Sequence, residues 1–419
     1  MSTSTYSLLR QRQNLTLPEE SERQLINEAT QVILREHGVF KPEDAEGLRI
    51  AGQVLQTLIQ DRGLSVPMNE LLRLKKRVLS ELSGYGFLDQ LLPPERTDLQ
   101  EIALTSAGRV FVRRKEGTAF EHLDDLRVTP DEAWRVTDAL LGPQSKALNE
   151  ATPTVDARLL PTKHNPGGGR LKFLHPVLTG DPYPTLNLRL YEPQAPHPDQ
   201  IVAWEMATWE LMGALGEAVQ HNLRIMIGGG TSTGKTTFLA ALCDYLPDHE
   251  RIVKIEDPTE IFLNKPHVQA IEARPVPPGS DVPPYTIANG VDDAMRMAPD
   301  RLIVGEVRTG QAALALFRAQ MSDHPGLTTF HAESPAAAVH RLAVIMFADA
   351  QVRFAPAKSL FVQAVDVYVQ LHFDDHGIRR VHGVWEIEPE LQGGDVAFQP
   401  VFEPGFRRVG TIEQRRAHA

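Results

Sequence analysis

The run Leu223-Arg224-Ile225-Met226-Ile227-Gly228-Gly229-Gly230-Thr231-Ser232-Thr233-Gly234-Lys235-Thr236-Thr237-Phe238-Leu239-Ala240-Ala241-Leu242 decides the fold. A short apolar stretch, a glycine-rich middle and a helix-forming end read as strand, phosphate loop and helix. From Gly229 the spacing fits G-x4-G-K-[ST], in which glycines let backbone N–H groups turn inward around phosphate oxygens. The helix that starts at Thr236 and runs to Leu246 then presents its unsatisfied first-turn donors and positive dipole end to the same anion. In this reading Gly229, Gly230, Thr231, Ser232, Thr233, Gly234, Lys235, Thr236 and Thr237 bind a nucleotide. Lys235 reaches the β/γ phosphates, and the Thr236 hydroxyl ligates Mg2+.

Downstream, strand–helix alternation continues through Arg251 to Ile255, Leu302 to Val304 and Leu327 to Phe330, which predicts a parallel α/β sheet. A closing hairpin is expected from Val365–Val369 and Val381–Trp385 around Asp375-His376-Gly377, and the proline-dense stretch from Pro275 to Pro284 is a loop. Upstream, a helix is expected from Trp204 to Gln220, preceded by a stiff connector at Pro193, Pro196 and Pro198 that places a domain boundary near 192–200.

Before the connector the texture is α+β. Short runs at Ile102–Leu104, Val110–Val112, Val155–Leu159, Arg170–Phe173 and Leu186–Leu190 read as strands. Thr129-Pro130-Asp131-Glu132 reads as a capped helix start, with that helix closing at Leu140 and Leu141. From Glu19 to Ser83 the apolar residues Leu25, Ala29, Val32, Ile33, and later Leu71, Leu74, Val78 and Leu82, recur at helical spacing, and Arg73, Lys75, Lys76 and Arg77 lie between them as a solvated face. The division is therefore residues 1–80 as a helical segment, 81–195 as an α+β domain, 196–200 as a linker and 201–419 as the domain of the phosphate loop.

The 419 residues carry a formal charge of −11, which argues against a chain built mainly to grip nucleic acid. The single cysteine, Cys243, rules out internal disulfides and four-cysteine zinc sites and reads as a buried small hydrophobe. No signal peptide is evident from Met1 to Asn14 and no run of eighteen apolar residues occurs, so the expected location is cytoplasmic.

A phosphate loop binds a nucleotide; hydrolysis further requires a positioned water and charge stabilisation at the transferring phosphoryl group. Three later stretches bring chemistry to strand ends, where ligands of open α/β sheets bind. Asp300-Arg301-Leu302-Ile303-Val304-Gly305-Glu306-Val307-Arg308 delivers Glu306 to orient or deprotonate water. Arg251-Ile252-Val253-Lys254-Ile255-Glu256-Asp257-Pro258-Thr259-Glu260 ends in two acids on opposite faces of the strand, of which one faces Mg2+ or its waters. Gly326 to Ser334 ends a strand at His331, a candidate γ-phosphate sensor. His372 and His376 have metal-ligand spacing, but they fall in a hairpin turn without further ligands nearby.

In this order the stretches resemble the type II/type IV secretion ATPase family, the motors of secretion and pilus machines. Gly229 to Thr236 matches its Walker A, Arg251 to Glu260 its Asp box, Val304 to Arg308 its Walker B, and Thr328-Thr329-Phe330-His331-Ala332 its His box. The helical leader looks like that of the tight-adherence pilus subgroup. The resemblance implies a RecA-like P-loop ATPase domain using ATP and Mg2+, behind an α+β N-terminal domain and an N-terminal helical segment. It implies a homo-oligomeric ring, commonly hexameric, working on an inner-membrane secretion or pilus platform protein from the inner face of the membrane. It also implies catalytic roles for Glu306, Glu256, His331 and Arg308, an outer Mg2+ role for Asp257, and phosphate-contacting arginines drawn from Arg158, Arg189, Arg251 and Arg308. Glu333 and Thr309-Gly310-Gln311 depart from the family pattern, and the loop from Lys163 to Gly169 is long. A RecA-like nucleic-acid translocase and a non-catalytic nucleotide-responsive scaffold are the alternatives.

Overall fold

The computed structural model describes residues 19–37, 45–64, 66–115, 117, 119–162, 165–192, 194–274, 276 and 281–412. Met1 to Asn14, Lys163, His164, Pro193, Pro275 and residues 277–280 lie outside them. The chain divides between Tyr191 and Glu192 into two compact units.

The first unit opens with helices α1 (Glu19–Glu36), α2 (Ala45–Asp61) and α3 (Met68–Ser83). Their apolar stripes meet in one cluster containing Leu25, Ala29, Ile33, Leu55, Leu74 and Val78. The basic residues of α3 are largely paired: Arg73 and Arg77 both bind Glu22 of α1, and Lys76 binds Glu95. An antiparallel sheet follows, from β1 (Leu99–Leu104), β2 (Arg109–Arg114), β3 (Glu121–Arg127), β4 (Thr154–Leu159), β5 (Gly169–Leu174) and β6 (Thr185–Leu190), in spatial order β3-β2-β1-β6-β5-β4. Helix α4 (Pro130–Leu141), between β3 and β4 in sequence, begins at Thr129, whose side chain accepts from the Glu132 N–H. Residues of alternate parity, such as Ile102, Leu104, Val155, Ala157, Leu171 and Leu188, pack with Ala133, Val136 and Leu140 of α4. Strand β3 is an edge, mostly exposed along its length, so its sequence lacks the apolar alternation that marks the others.

The second unit is one mixed sheet of nine strands with helices on both faces. Its elements are α5 (Pro198–Ala203), α6 (Trp209–Gln220), β7 (Ile225–Gly229), α7 (Lys235–Leu242), β8 (Ile252–Glu256), β9 (Val268–Glu272), α8 (Ile287–Ala294), β10 (Arg301–Val307), α9 (Gly310–Met321), β11 (Gly326–His331), α10 (Pro335–Ala350), α11 (Phe354–Ala364), β12 (Val367–Phe373), β13 (Arg379–Ile387), β14 (Phe398–Glu403) and β15 (Arg407–Arg408). The order is β15-β14-β13-β12-β7-β11-β10-β8-β9, parallel from β12 to β9 and antiparallel from β12 to β15. Strand alternation feeds two cores: Ile225, Ile227, Ile303 and Val369 face α5, α6 and α7, while Met226, Val253, Leu302 and Tyr368 face α8 to α11.

Two differences from the sequence reading have local causes. The single helix expected from Trp204 to Gln220 is broken. Glu205 adopts a left-handed φ of 55°, and Thr208 starts α6 afresh by accepting from the Leu211 N–H. Part of the stretch read as a linker is helical and anchored: Pro198 opens α5, and Ala195 and Ile201 are buried in the second unit's core.

Candidate active site

Strand β7 lies between β12 and β11, so the loop that follows it emerges at the C-terminal edge of the parallel strands. Gly228 has no room for a side chain: a Cβ there would stand 1.7 Å from the Tyr368 hydroxyl. Gly234 takes a φ of 91°, which a Cβ disfavours, and hands the chain to α7. The loop is tied from within and from outside. The Thr233 hydroxyl donates to the Gly230 carbonyl at 3.0 Å, and Arg379 of β13 donates through Nε to the Ser232 carbonyl at 2.9 Å. Ser232 is itself left-handed, with φ 61°, so the Arg379 bond holds a residue that strain would otherwise move.

Lys235 folds back along the loop, its Nζ donating to the carbonyls of Gly229 at 3.1 Å and Gly230 at 2.7 Å. Burial lowers its pKa below the ordinary lysine value, while the charge of Glu306 pulls it back up. Thr236 and Thr237 are half-buried in the first turn of α7, and Thr231 and Ser232 are exposed at the loop tip.

Neighbouring strand ends bring further groups to this edge. His331, the last residue of β11, is in register with Gly229 of β7. Glu306 lies near the end of β10, the next strand over, and binds Arg308 through Oε2 at 2.6 Å from Nε. The Thr329 hydroxyl donates to the Gly305 carbonyl at 2.6 Å, fixing β11 against β10 beside Glu306. Burial first, then the charges of Lys235 and Arg341, depress the His331 pKa; Glu306 and Glu333 oppose them. Lys235, at the start of α7 just past the phosphate loop, therefore lies near Glu306 and His331 at the ends of β10 and β11, and the charges of Lys235 and Glu306 act on His331.

Glu256 has a different position from the one expected of a catalytic acid. It is buried, its Oε2 2.6 Å from Lys254 Nζ, and its Oε1 accepts the N–H groups of Glu260 at 2.9 Å and Ile261 at 2.8 Å. Those bonds engage both oxygens in shaping the loop after β8, and its stem packs behind Gly305. Asp257, the neighbour on the opposite face, is exposed, and its carbonyl faces Arg308 Nη1 at 3.4 Å. Arg251 precedes β8, at the N-terminal edge of the sheet. The five residues of β8 separate it from the loop edge by about 16 Å, at roughly 3.3 Å per residue, so it does not join this site within the chain. There its N–H donates to Asp300 and its guanidinium meets His267.

Arg158 and Arg189 belong to the first unit. Register aligns Arg158 with Arg170 and Arg170 with Arg189, a row of three guanidinium side chains across β4, β5 and β6. Arg170 was not anticipated, because only strand pairing reveals it. Two cations of the second unit also escaped the sequence reading: Arg379, which lies 147 residues from the Ser232 carbonyl it holds, and Arg341 of α10, whose Nη1 donates to the His331 carbonyl at 2.8 Å. The departures at Thr309 and Gly310 have structural causes. Thr309 caps α9 by accepting from the Ala312 N–H, and a Cβ on Gly310 would stand 2.1 Å from the Ile345 carbonyl. Glu333 is exposed. His372 meets His382 edge-to-face with ring centroids 4.3 Å apart, and among the described residues no group of three or more His, Cys, Asp or Glu could hold a metal ion. Cys243 is buried, its thiol pushed up to about 12.

The donor set fits a nucleoside triphosphate with Mg2+. Phosphate would replace the carbonyls as the partner of Lys235, and Mg2+ would take the Thr236 hydroxyl and phosphate oxygens, since this ion keeps waters and needs no all-protein cage. Residues 162–366 match the type II/IV secretion system protein family. A "Putative conjugal transfer protein" of Mycobacterium tuberculosis is 30% identical over 311 residues, covering 73% of this chain and 85% of that protein. The conjugal transfer protein TrbB of Rhizobium radiobacter is 29% identical over 294 residues, covering 69% and 83%. The X-ray structure of the Legionella pneumophila ATPase DotB superposes with a TM-score of 0.51 at 17% identity, over 69% of this chain and 77% of that one, and carries the same fold.

Proposed function

The chain belongs to the type II/IV secretion system protein family, and from that premise we propose that it is an ATP-hydrolysing motor of a secretion or pilus-assembly machine. The observation that carries the reading is the proximity of Lys235, at the start of α7, to Glu306 and His331 at the ends of β10 and β11, beside a glycine loop. Binding alone would need the loop; a carboxylate and an imidazole at the adjacent strand ends add what hydrolysis needs.

In this mechanism the loop N–H groups and Lys235 hold the phosphates. The Thr236 hydroxyl would hold Mg2+, with Asp257 as the acid available to its waters, and the ion would supply screening of the phosphate charge. Glu306, steered by Arg308, takes a proton from a water whose oxygen bonds to the γ-phosphorus as the bond to the β–γ bridging oxygen breaks, giving ADP and phosphate. The His331 imidazole donates a ring N–H to an oxygen of the terminal phosphate. A homo-oligomeric ring, probing nucleotide state at each copy, would do work on an inner-membrane partner from the cytoplasmic side. Among the described residues no helix is long and apolar enough to cross a membrane.

Phosphate release from Mg2+-ATP, measured beside the mass of the assembly with and without nucleotide, tests this. Turnover that disappears in Lys235→Ala and Glu306→Gln is expected. Equal turnover in both variants and the parent chain, or nucleotide binding without turnover in the presence of the membrane partner, overturns it.

A further inference from the structure

The cations at the loop edge are not equivalent. Arg308 is taken by Glu306, and Arg380 by Asp374 and Glu205. Arg379 donates to the Ser232 carbonyl and thereby holds the loop backbone. Arg341 differs from all three. It is exposed, and among the described residues no carboxylate lies within ion-pair distance of it. Its guanidinium lies over the Phe330 ring, 5.8 Å from the centroid, and Nη1 donates to the His331 carbonyl. An aromatic face and one backbone oxygen orient the planar group while leaving most of its five donors for another acceptor.

The location of that acceptor follows from the register. His331 pairs with Gly229, the glycine whose carbonyl holds Lys235, so the carbonyls that hold Arg341 and Lys235 belong to neighbouring strand ends, spaced about 4.8 Å apart in a sheet. Both cations thus rest on main-chain oxygens at the same edge, and each is able to exchange that weak acceptor for a charged one. A phosphate oxygen forms a shorter, stronger bond to guanidinium than a carbonyl does.

We propose that Arg341 binds the terminal phosphate of the nucleotide from within the same chain, leaving the His331 carbonyl as the phosphate arrives, so that it distinguishes triphosphate from diphosphate. The inference rests on the ATPase reading and adds to it a residue from helix α10 that lies outside the four sequence motifs. Because Arg341 is bonded to the strand end that carries His331, its departure also frees that strand end, and α10 registers the γ-phosphate.

The experiment compares the full chain with Arg341→Ala and Arg341→Lys, titrating Mg2+-ADP and a Mg2+-bound non-hydrolysable ATP analogue by calorimetry, alongside phosphate release from ATP. Expected for Arg341→Ala is ADP affinity within about twofold of the parent and analogue affinity weakened by about ten- to a hundredfold, the range of a lost charged hydrogen bond. Arg341→Lys should recover part of the analogue affinity. A merely structural role would weaken both ligands together and lower the melting temperature, and that result overturns the inference, as does an unchanged preference for the analogue. A parent chain that binds neither nucleotide overturns the ATPase reading itself, which separates the two failures.

Discussion

The two edges of the second unit's sheet use charge in opposite ways. At the N-terminal edge, Arg224 and Asp366 form a closed pair: Nε and Nη2 donate to the carboxylate at 2.8 and 2.7 Å, the Arg224 N–H donates to it as well, and Nη1 reaches the Gln320 carbonyl at 3.1 Å. Both side chains are almost fully buried. Arg301 and Glu250 form a second buried pair nearby, with Asn222 as a third partner and Arg301 Nη1 left without a hydrogen bond among the described residues. At the C-terminal edge, Lys235, Glu306, Arg308, His331 and Arg341 are half-buried or exposed, and two of the cations rest on main-chain carbonyls. Satisfied charges hold strands together; incompletely satisfied charges bind and react. A buried pair is stable against exchange because either member alone would carry a large desolvation penalty. The opposite edge keeps its groups near water, where exchanging a partner is cheap.

The contrast is sharpest if one change removes activity without touching stability. Glu306→Gln keeps the shape and a hydrogen-bond acceptor for Arg308 but loses the base. ATP turnover should fall by about 10²- to 10⁴-fold, the usual cost of a general base, with the melting temperature within experimental scatter of the parent. A parallel loss of thermal stability would show that the two edges are not separate in function.

Next in size is the reverse experiment. Asp366→Ala strands a buried guanidinium and should cost about 3–5 kcal/mol in denaturant unfolding. Replacing Arg224 and Asp366 together by apolar residues of similar volume should recover most of that loss, because the unpaired charge is then gone. Recovery would identify the penalty as electrostatic; its absence would point to the backbone bonds that Asp366 makes at the start of β12.

What was readable in the sequence divides along the same line. The loop edge was legible because its groups are declared locally: Gly228 to Thr237, Glu306 and His331 each end a short apolar strand, and the parallel order follows from strand–helix alternation. The N-terminal edge was not, since Arg224 and Asp366 lie 142 residues apart and meet only because β7 and β12 are neighbours. Glu256 ends its strand as expected, but both its oxygens are already bonded. The residue that changes its meaning is Lys254, two positions earlier, which draws the carboxylate inward. Edge strands β3, β9 and β15 were missed because an edge buries too little to impose clear alternation, and β14, next to the two-residue β15, is buried only at Val401 and Phe402. Arg341 resembles any solvent-facing helix cation until the His331 carbonyl is seen beneath it.

A smaller effect probes the join between the edges. Gly228 occupies the path of β7 where the Tyr368 ring of β12 crosses it, and a Cβ would meet the hydroxyl at 1.7 Å. Gly228→Ala should cost about 1–3 kcal/mol of stability through overpacking, and Tyr368→Phe should relieve part of it. Chemical denaturation of the two single variants and the double variant gives the coupling. Additive losses would mean that β7 moves rather than Tyr368, and the phosphate loop would then move with it.

The smallest effect is electrostatic and has a sign that each variant fixes. His331 titrates below the ordinary 6.5 because burial, then Lys235 and Arg341, disfavour the imidazolium, whereas Glu306 and Glu333 favour it. Lys235→Ala should therefore move the His331 titration up and Glu306→Gln should move it further down, both read from the imidazole resonance by NMR. The folded chain holds this proton less tightly than the unfolded chain. The group's contribution to stability is thus complete above pH 6.5 and declines as pH falls through the depressed folded value. In Glu306→Gln that decline should extend to lower pH, and the same variant that abolishes turnover would then register as a displacement of the acid limb of unfolding toward lower pH. A shift in the opposite direction would mean that Glu306 does not face His331 in solution, and the loop edge would lose the mutual coupling that sets it apart from the closed pairs across the sheet.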